Sequence, residues 1–302
     1  MTSAIQSFKL IKKIKDEKFD VDHLHQYTLL LTLGTRDFQV GVLEMQTNRF
    51  MLLEDYIFQN LTSSEDQIML LKDLFESHHI LGAGFWAKVL FTIKNNHFVQ
   101  VPLSLFAEEA AADYLRFNAK ISPSEIVVHN QSSSSQAATV FALNADLHQW
   151  IKENYQNATV QFYHQSTCFI EGVLSVARQK GPNPLYIYVD RFKLHIAAVE
   201  NGNILYYNQF VIRQFSDYVK YIMLVLKALQ MDQQQSGIVL WGYIGKNSPH
   251  AIEFAKYIRN VTFGERPGQL KFGYLFDEIQ DHHFFDLYGS ALLAVGNDPA
   301  QS

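Results

Sequence analysis

Twelve histidines make metal binding the first chemistry to consider in this sequence. His23 and His25 are two residues apart, which would place both rings on one face of a strand. His282 and Asp286 are four residues apart, which brings side chains together on one face of a helix. Neither pair has a third ligand nearby in the sequence, and the His-Glu-x-x-His signature is absent. We therefore predict partly exposed polar histidines and no metal site.

A nucleophilic thiol is the second chemistry to consider, because Cys168 is the only cysteine. His164 lies close to it in the sequence, but Cys168 begins an apolar helical pattern and has no strand-to-helix elbow signature. We predict a buried structural thiol. A single cysteine also excludes a disulfide framework and a multi-cysteine zinc site, and it fits a reducing compartment, which predicts a cytoplasmic protein.

Composition excludes other classes. Hydrophobic residues make up 48% of the chain and charged residues 18%, which is typical of a folded protein. A net charge of −5 argues against a dedicated nucleic-acid binder. No apolar window approaches the roughly 18 residues of a membrane span, so none is predicted. The N-terminal lysines are balanced by acidic residues, which predicts a solvated leader: Lys9, Lys12, Lys13, Lys15, Asp16, Glu17 and Asp20.

Glycine is scarce, with 15 among 302 residues, whereas about 7% is typical. Glycine-rich loops are a common way to hold phosphate, because backbone amides can approach its oxygens there. No Gly-Lys-Ser/Thr phosphate-binding loop is present. Any phosphate chemistry therefore depends on where the few glycines fall.

The elements that would position such residues occur in a repeated order. Three strands, a helix and a further strand are predicted from about Tyr27 and again from about Leu185. The apolar positions alternate along each strand, and the helix of the first copy begins near Ser64. This order predicts an α/β protein built by duplication of one unit.

The segment between the two copies holds further elements. A strand over Val89–Ile93 is predicted to form a hairpin with His97–Val101, followed by a helix over Leu105–Asn118. The run Gly181-Pro182-Asn183-Pro184 is the clearest breaker cluster. We place the domain boundary there, with a first half over residues 1–182 and a second half over residues 183–302.

A strand meander followed by a helix and a strand, used twice with a closing helix, resembles the actin-like ATPase fold, a duplicated ribonuclease H-like architecture. The runs Phe106–Glu109, Tyr114–Asn118 and Leu147–Ile151 are similar to one uncharacterised bacterial domain-of-unknown-function family assigned that fold. The C-terminal run Tyr288–Leu293 resembles the helix that closes this fold against its first half.

The resemblance implies a nucleotide site between the halves. Gly34-Thr35 matches the first phosphate turn, but Thr32 stands where an acidic residue is expected. Asp190 matches the magnesium-organising aspartate of the second turn, yet every glycine is missing after it, which leaves the side chains of Arg191 and Lys193 to contact phosphate. Gly242 and Gly245 match the turn along the adenosine.

Two hypotheses follow. The first is a non-hydrolytic scaffold or pseudo-ATPase with a degenerate cleft, no cofactor and an unknown protein partner; it predicts that Asp190→Ala leaves stability unchanged. The alternative is an ATP-binding protein with ATPase or sugar-kinase-like phosphoryl transfer, using magnesium and Asp190. The adjacent rings of Tyr206-Tyr207 and Phe284-Phe285 cannot all face one core, so they are predicted to bridge the halves or form a partner surface.

Overall fold

The computed structural model describes residues 7–177, 184–191, 193–232 and 234–296. Its strands are β1 (Ser7–Lys15), β2 (Tyr27–Leu33), β3 (Asp37–Glu44), β4 (Arg49–Gln59), β5 (Lys88–Ile93), β6 (Phe98–Pro102), β7 (Glu125–Ser132), β8 (Ala137–Asn144), β9 (Thr159–His164), β10 (Leu185–Val189), β11 (Lys193–Glu200), β12 (Asn203–Val211), β13 (Gly237–Gly242), β14 (Asn260–Phe263) and β15 (Lys271–Phe272). Its helices are α1 (Ser64–Ser77), α2 (Ala111–Arg116), α3 (Ala145–Asn154), α4 (Gln165–Ala177), α5 (Phe215–Ala228), α6 (Pro249–Tyr257) and α7 (Phe285–Gly296).

Two sheets share one topology. The first contains the order β4-β3-β2-β5-β9, and the second has the order β12-β11-β10-β13-β14. In the first sheet β2, β3 and β4 pair antiparallel, and β5 and β9 add in parallel beside β2. In the second sheet β10, β11 and β12 pair antiparallel, and β13 and β14 add in parallel beside β10. The predicted duplication of an α/β unit is therefore confirmed.

Several local predictions are wrong. β5 and β6 do not form a hairpin, because β5 pairs with β2 and β9 while β6 pairs with β8 in a separate three-stranded sheet. Asn95 turns the chain between them, since its side chain donates to the Ala142 carbonyl and accepts from the His97 amide. The predicted helix over Leu105–Asn118 is interrupted, and only α2 and two short 3-10 turns are helical there.

The N-terminus also differs from prediction. Residues 7–15 are not a solvated leader but the edge strand β1, which pairs antiparallel with β4. Ile14 is buried there, whereas most of the lysines remain on the solvent side. Lysines on an edge strand discourage pairing with another chain. His23 and His25 lie in the 3-10 helix Val21–Gln26 rather than on a strand.

Every residue of β2 is buried, so the first sheet is covered on both faces. Leu29, Leu31 and Leu33 face the side of α1 and α3, while Leu30 faces the side of α7. Successive side chains of a strand point to opposite faces, which explains the division. Helix α7 thus closes against the first sheet as the resemblance implied, and β15 pairs with β4 of that sheet.

The rings of Tyr207 and Phe285 bridge the two halves. The Phe285 ring at the start of α7 packs edge-on against Phe169 of α4 in the first half, with ring centroids 6.1 Å apart. The Tyr207 ring of β12 lies 6.1 Å from that of Phe98 in β6. Tyr207 and Phe285 thus have the bridging role, and the partner surface stays a prediction.

Helices α4 and α7 cross at glycines. A Cβ atom on Gly289 would lie 1.9 Å from the Cys168 carbonyl oxygen, and one on Gly172 would lie 2.9 Å from the Phe285 ring. Two helices approach this closely only where one lacks a side chain. The crossing joins the end of the first half to the end of the second.

We expect Gly289→Ala to lower the free energy of unfolding by about 3 kcal/mol, because the methyl group forces the two helices apart. Chemical denaturation measures this loss. Gly296→Ala is the matched control in α7, since among the described residues no atom beyond its own stretch of helix lies within 4 Å of its added Cβ. Equal stabilities of the two variants would contradict the assigned crossing.

The boundary at residues 182 and 183 stays a prediction, because Gly181, Pro182 and Asn183 lie outside the described residues. In the described part of the chain, no helix is long and apolar enough to cross a membrane.

Candidate functional site

The two predicted phosphate turns close on themselves. The Gly34 amide donates to the Asp37 carbonyl at 2.8 Å, and the Asp190 amide donates to the Lys193 carbonyl at 2.9 Å. A Cβ on Gly34 would lie 2.2 Å from Asp37 Oδ1, so this glycine makes room for a carboxylate. Both amides are therefore engaged within the protein.

Lys94 lies between the turns. It follows β5, which is parallel to β2, so both strands end at the same edge of the sheet. Its ammonium lies 3.1 Å from Asp37 Oδ2, 3.1 Å from Asp286 Oδ2 and 3.6 Å from Asp190 Oδ2. The Lys94 side chain is only 2% exposed. One cation thus joins carboxylates from both halves.

Two further side chains complete the hydrogen bonds of these carboxylates. The Gln165 amide nitrogen donates to Asp190 Oδ2 and Asp286 Oδ2, at 2.8 Å each. The Tyr188 hydroxyl donates to Asp286 Oδ1 at 2.7 Å. Every one of these groups is buried. Buried carboxylates with this many partners are held in one arrangement.

Arg191 makes a second connection across the cleft. It forms an ion pair with Asp55, and its guanidinium lies 3.4 Å from Asp37. The same guanidinium lies over the Tyr243 ring, 4.5 Å from its centroid, and the Gln39 side chain donates to the Tyr243 hydroxyl at 2.6 Å. We call Lys94, Arg191, Asp37, Asp55, Asp190 and Asp286 the cleft network.

The charges of the cleft network depend on each other. Burial alone would lower the pKa of Lys94, but Asp190, Asp286 and Asp37 raise it well above its ordinary value. Burial would likewise raise the pKa of Asp190, yet Lys94 and the Gln165 hydrogen bond hold it well below the ordinary value. Burial raises the pKa of Asp37, against the opposing effect of Lys94. Asp190 and Lys94 therefore face each other as a charged pair.

The predicted adenosine turn packs against β10. Gly242 has a φ of +106°, and a Cβ there would lie 2.0 Å from the Val189 carbonyl oxygen. Its amide donates to the His282 carbonyl at 2.7 Å, and the Tyr243 amide donates to the Val189 carbonyl at 2.8 Å. The Gly245 carbonyl accepts from the Ser248 amide just before α6. Gly242 is therefore required by a close backbone approach.

The predicted site residues are thus only partly brought together. Gly34 and Asp190 reach the cleft network, and Gly242 abuts the strand that precedes Asp190. Thr35 lines a cavity of about 310 Å³ together with Ser63 and Gln67. Assignment of Gly34, Thr35, Asp190, Gly242 and Gly245 to a nucleotide remains a prediction. Because Asp190 is buried and paired, the expectation that Asp190→Ala is neutral does not follow from this geometry.

Sequence reasoning missed Lys94, Asp37, Asp55 and Gln165. One pattern in the sequence could have indicated Lys94 as a site residue: it directly follows the apolar run Val89–Ile93, at the end of a predicted strand. Lys193, by contrast, is a predicted phosphate contact. Its side chain is buried, and burial lowers its pKa to about 8.

His282 and Asp286 do not share a helix face, and His282 is buried rather than partly exposed as predicted. His282 precedes α7 and donates from Nε2 to the Ile244 carbonyl at 2.9 Å, whereas Asp286 binds Lys94. Cys168 is buried as predicted, and burial raises the pKa of its thiol to about 12. Within the described ranges, no group of three His, Cys, Asp or Glu residues is arranged to hold a metal.

The two sheets of equivalent strand order are those of the actin-like ATPase fold. A crystal structure from Bacteroides thetaiotaomicron VPI-5482, described as a protein with actin-like ATPase fold and unknown function, is similar to this chain with a TM-score of 0.74. The identity is 22%, over 90% of this chain and 98% of that chain. A PilM-PilN type IV pilus biogenesis complex gives a TM-score of 0.61 at 10% identity, over 89% of this chain and 98% of that one.

The family model described as "Protein of unknown function (DUF3822)" matches residues 16–261. The chain therefore belongs to the DUF3822 family. No curated protein matches it in sequence.

Proposed function

We propose that this protein is a non-hydrolytic scaffold of the actin-like fold, a pseudo-ATPase whose interdomain cleft is filled by its own side chains. The observation that carries the proposal is the position of Lys94, whose ammonium lies within 3.6 Å of carboxylates from both halves. The halves are thereby joined by protein side chains where this fold is expected to hold a nucleotide.

The chemistry of phosphoryl transfer supports this proposal. Such transfer requires positioned amides or cations on the phosphates and a metal ion held by carboxylates. The amides of Gly34, Asp190 and Gly242 already donate to protein carbonyls. Lys94 occupies the centre of the carboxylates that a divalent cation would need. The residues present therefore do not fit ATP with magnesium.

One observation favours the alternative, an ATP-binding protein with phosphoryl transfer. A cavity of about 590 Å³ is lined by Arg36 and Arg191, which belong to the two predicted phosphate turns. Two cations beside one cavity would attract an anion. Arg191 already pairs with Asp55, however, and only Arg36 is exposed.

A scaffold acts through a partner. In the PilM-PilN complex a protein of this fold is part of an assembly. We propose that the DUF3822 chain also binds a protein partner and does so in the cytoplasm, as its single buried cysteine suggests.

We expect millimolar ATP with magnesium to leave the melting temperature unchanged. A ligand at 100 times its dissociation constant would stabilise the fold by about 2.7 kcal/mol, which calorimetry detects easily. Arg36→Ala is the control, because Arg36 is exposed and can be removed without disturbing the core. A thermal shift in the wild type that disappears in Arg36→Ala would overturn the scaffold proposal in favour of the alternative.

A further inference from the structure

A groove runs between the second sheet and the three-stranded sheet. Its volume is about 540 Å³. One wall is β12, and the other wall contains Gln100 and Pro102 of β6 with the turn Ser135–Ala137. Ile170 of α4 also lines it. Gln209 of β12 donates to the Asn95 carbonyl at 2.7 Å, which ties β12 to the connection that precedes β6.

The groove follows the edge of β12 rather than one of its faces. Five consecutive residues of this strand, 203–207, line it. Successive side chains of a strand point to opposite faces, so five in a row share one groove only when it runs along the strand edge. β12 ends the order of its sheet, and among the described residues no strand pairs with its outer edge. Alternate N–H and C=O groups of β12 therefore point into the groove.

This edge lacks two of the devices that usually prevent pairing, charge and proline, and has a third, a β-bulge. Exposed edges are commonly protected by charged side chains and proline. β12 has neither over Asn203–Val211, although Leu205 forms a bulge with no opposite residue on β11. The edge strand β1, by contrast, carries four lysines. The chain therefore protects one edge by charge and leaves the other uncharged.

We propose that this groove binds an uncharged extended segment of a partner protein, which adds to β12 as a further strand. Every residue that lines the groove is uncharged, so a charged segment would lose its hydration without gaining an ion pair. The five lining residues correspond to a segment about 17 Å long. Pro102 has no amide hydrogen, so at this position the opposite wall cannot donate a backbone hydrogen bond to the segment.

The wall opposite β12 favours a single extended segment over a strand from a second copy of the chain. A strand that already belongs to a sheet brings a neighbour on its other edge, and that neighbour would collide with Gln100 and the turn Ser135–Ala137. A single extended segment has no such neighbour. The inference rests on the proposed scaffold function in one respect: the groove would be the surface on which the scaffold binds its partner.

A displayed library of random octapeptides is the probe, and the enriched peptides are measured by fluorescence anisotropy. We expect Leu205→Lys to weaken binding at least tenfold, because it adds a charge at the groove. Val211→Lys is the matched control on the same strand, since Val211 is also about half exposed but does not line the groove. We expect its affinity to stay within twofold of the wild type.

N-methylation of the peptide tests whether its backbone forms hydrogen bonds with β12. Only alternate peptide amides point to β12, so methylation should weaken binding at every second position. If Leu205→Lys melts below the wild type, Gln100→Arg on the opposite wall replaces it, and the same loss is expected. Absence of enriched peptides, or equal affinities for the groove and control variants, would overturn the inference. These readouts use no nucleotide, so a thermal shift with ATP would refute the scaffold function and leave the groove standing.

Discussion

Replacing Lys94 with methionine is expected to lower the free energy of unfolding by about 3–5 kcal/mol, the usual cost of removing one partner of a buried ion pair. Methionine keeps most of the apolar stem, so the change removes chiefly the ammonium. Asp37, Asp190 and Asp286 would then face each other without the cation that lies within 3.6 Å of all three. Urea denaturation at neutral pH measures the loss.

Lys12→Met is the matched control. Lys12 pairs with Glu278 at 3.0 Å, but the two side chains are 33% and 61% exposed. Exposed pairs contribute at most about 1 kcal/mol, so little change is expected. In the double variant Lys94→Met, Asp286→Asn, one fewer carboxylate lacks its cation, and part of the stability should return. Equal losses for Lys94→Met and Lys12→Met would refute the role of the cleft network.

The fold was largely predictable because its signals are local. Alternating leucines over Leu29–Leu33 predict a strand, and Ser63 and Ser64 mark the start of α1, where the structure places the N-cap. The repeated order of such elements then predicts the duplication. Each of these signals lies within a few residues of the chain, which is the range that periodicity and capping can report.

The cleft was less predictable because its contacts join distant residues. Lys94 meets Asp286 across 192 positions, and no local pattern reports such a pair. The glycines were misleading for a related reason. Gly34 and Gly242 stand where a nucleotide turn would need them, yet the atoms closest to them are Asp37 Oδ1 and the Val189 carbonyl oxygen. A glycine shows only that something approaches the backbone closely.

Acid is expected to destabilise this protein from about pH 6.5 downward, because two buried histidines are neutral in the fold. His164 donates from Nε2 to the Asn95 carbonyl, and its Nδ1 accepts from the Ser166 hydroxyl at 2.8 Å. A second proton, on Nδ1, would remove the acceptor of the hydrogen bonds from the Ser166 hydroxyl and the Ser166 amide. Burial lowers the pKa of His164 well below its ordinary value, with Lys193 contributing.

His195 of β11, in the second half, is also buried and neutral in the folded protein. Its Nδ1 lies 2.9 Å from the Tyr207 hydroxyl, and its buried Nε2 has no hydrogen-bond partner among the residues that the structure describes. Burial lowers the pKa of His195 to about 3; Asp190 opposes this shift and Lys193 adds to it. Charges that act on this ring come from four side chains: Lys94, Asp190, Lys193 and Asp286.

The direction in which stability changes with pH follows from proton linkage. Below about pH 6.5 the unfolded chain binds protons at both histidines and the folded chain does not, so stability falls as pH falls. Each histidine contributes about 1 kcal/mol per pH unit, which is about 4 kcal/mol for the pair between pH 6.5 and 4.5. Glu54 adds to this at lower pH: burial alone would raise its pKa, but hydrogen bonds from His78, Lys13 and Tyr56 lower it to about 2.

Urea denaturation of His195→Gln at several pH values tests the assignment. Glutamine cannot take up a proton, so the free energy of unfolding should lose about 1 kcal/mol less per pH unit than that of the wild type. His25, whose ring is exposed, supplies the control, and we expect His25→Gln to keep the wild-type slope. A wild-type slope in His195→Gln would mean that this ring takes up its proton equally in the folded and unfolded chains. The destabilisation by acid would then arise from other groups. The assignment of a neutral His195 in the folded protein would be refuted.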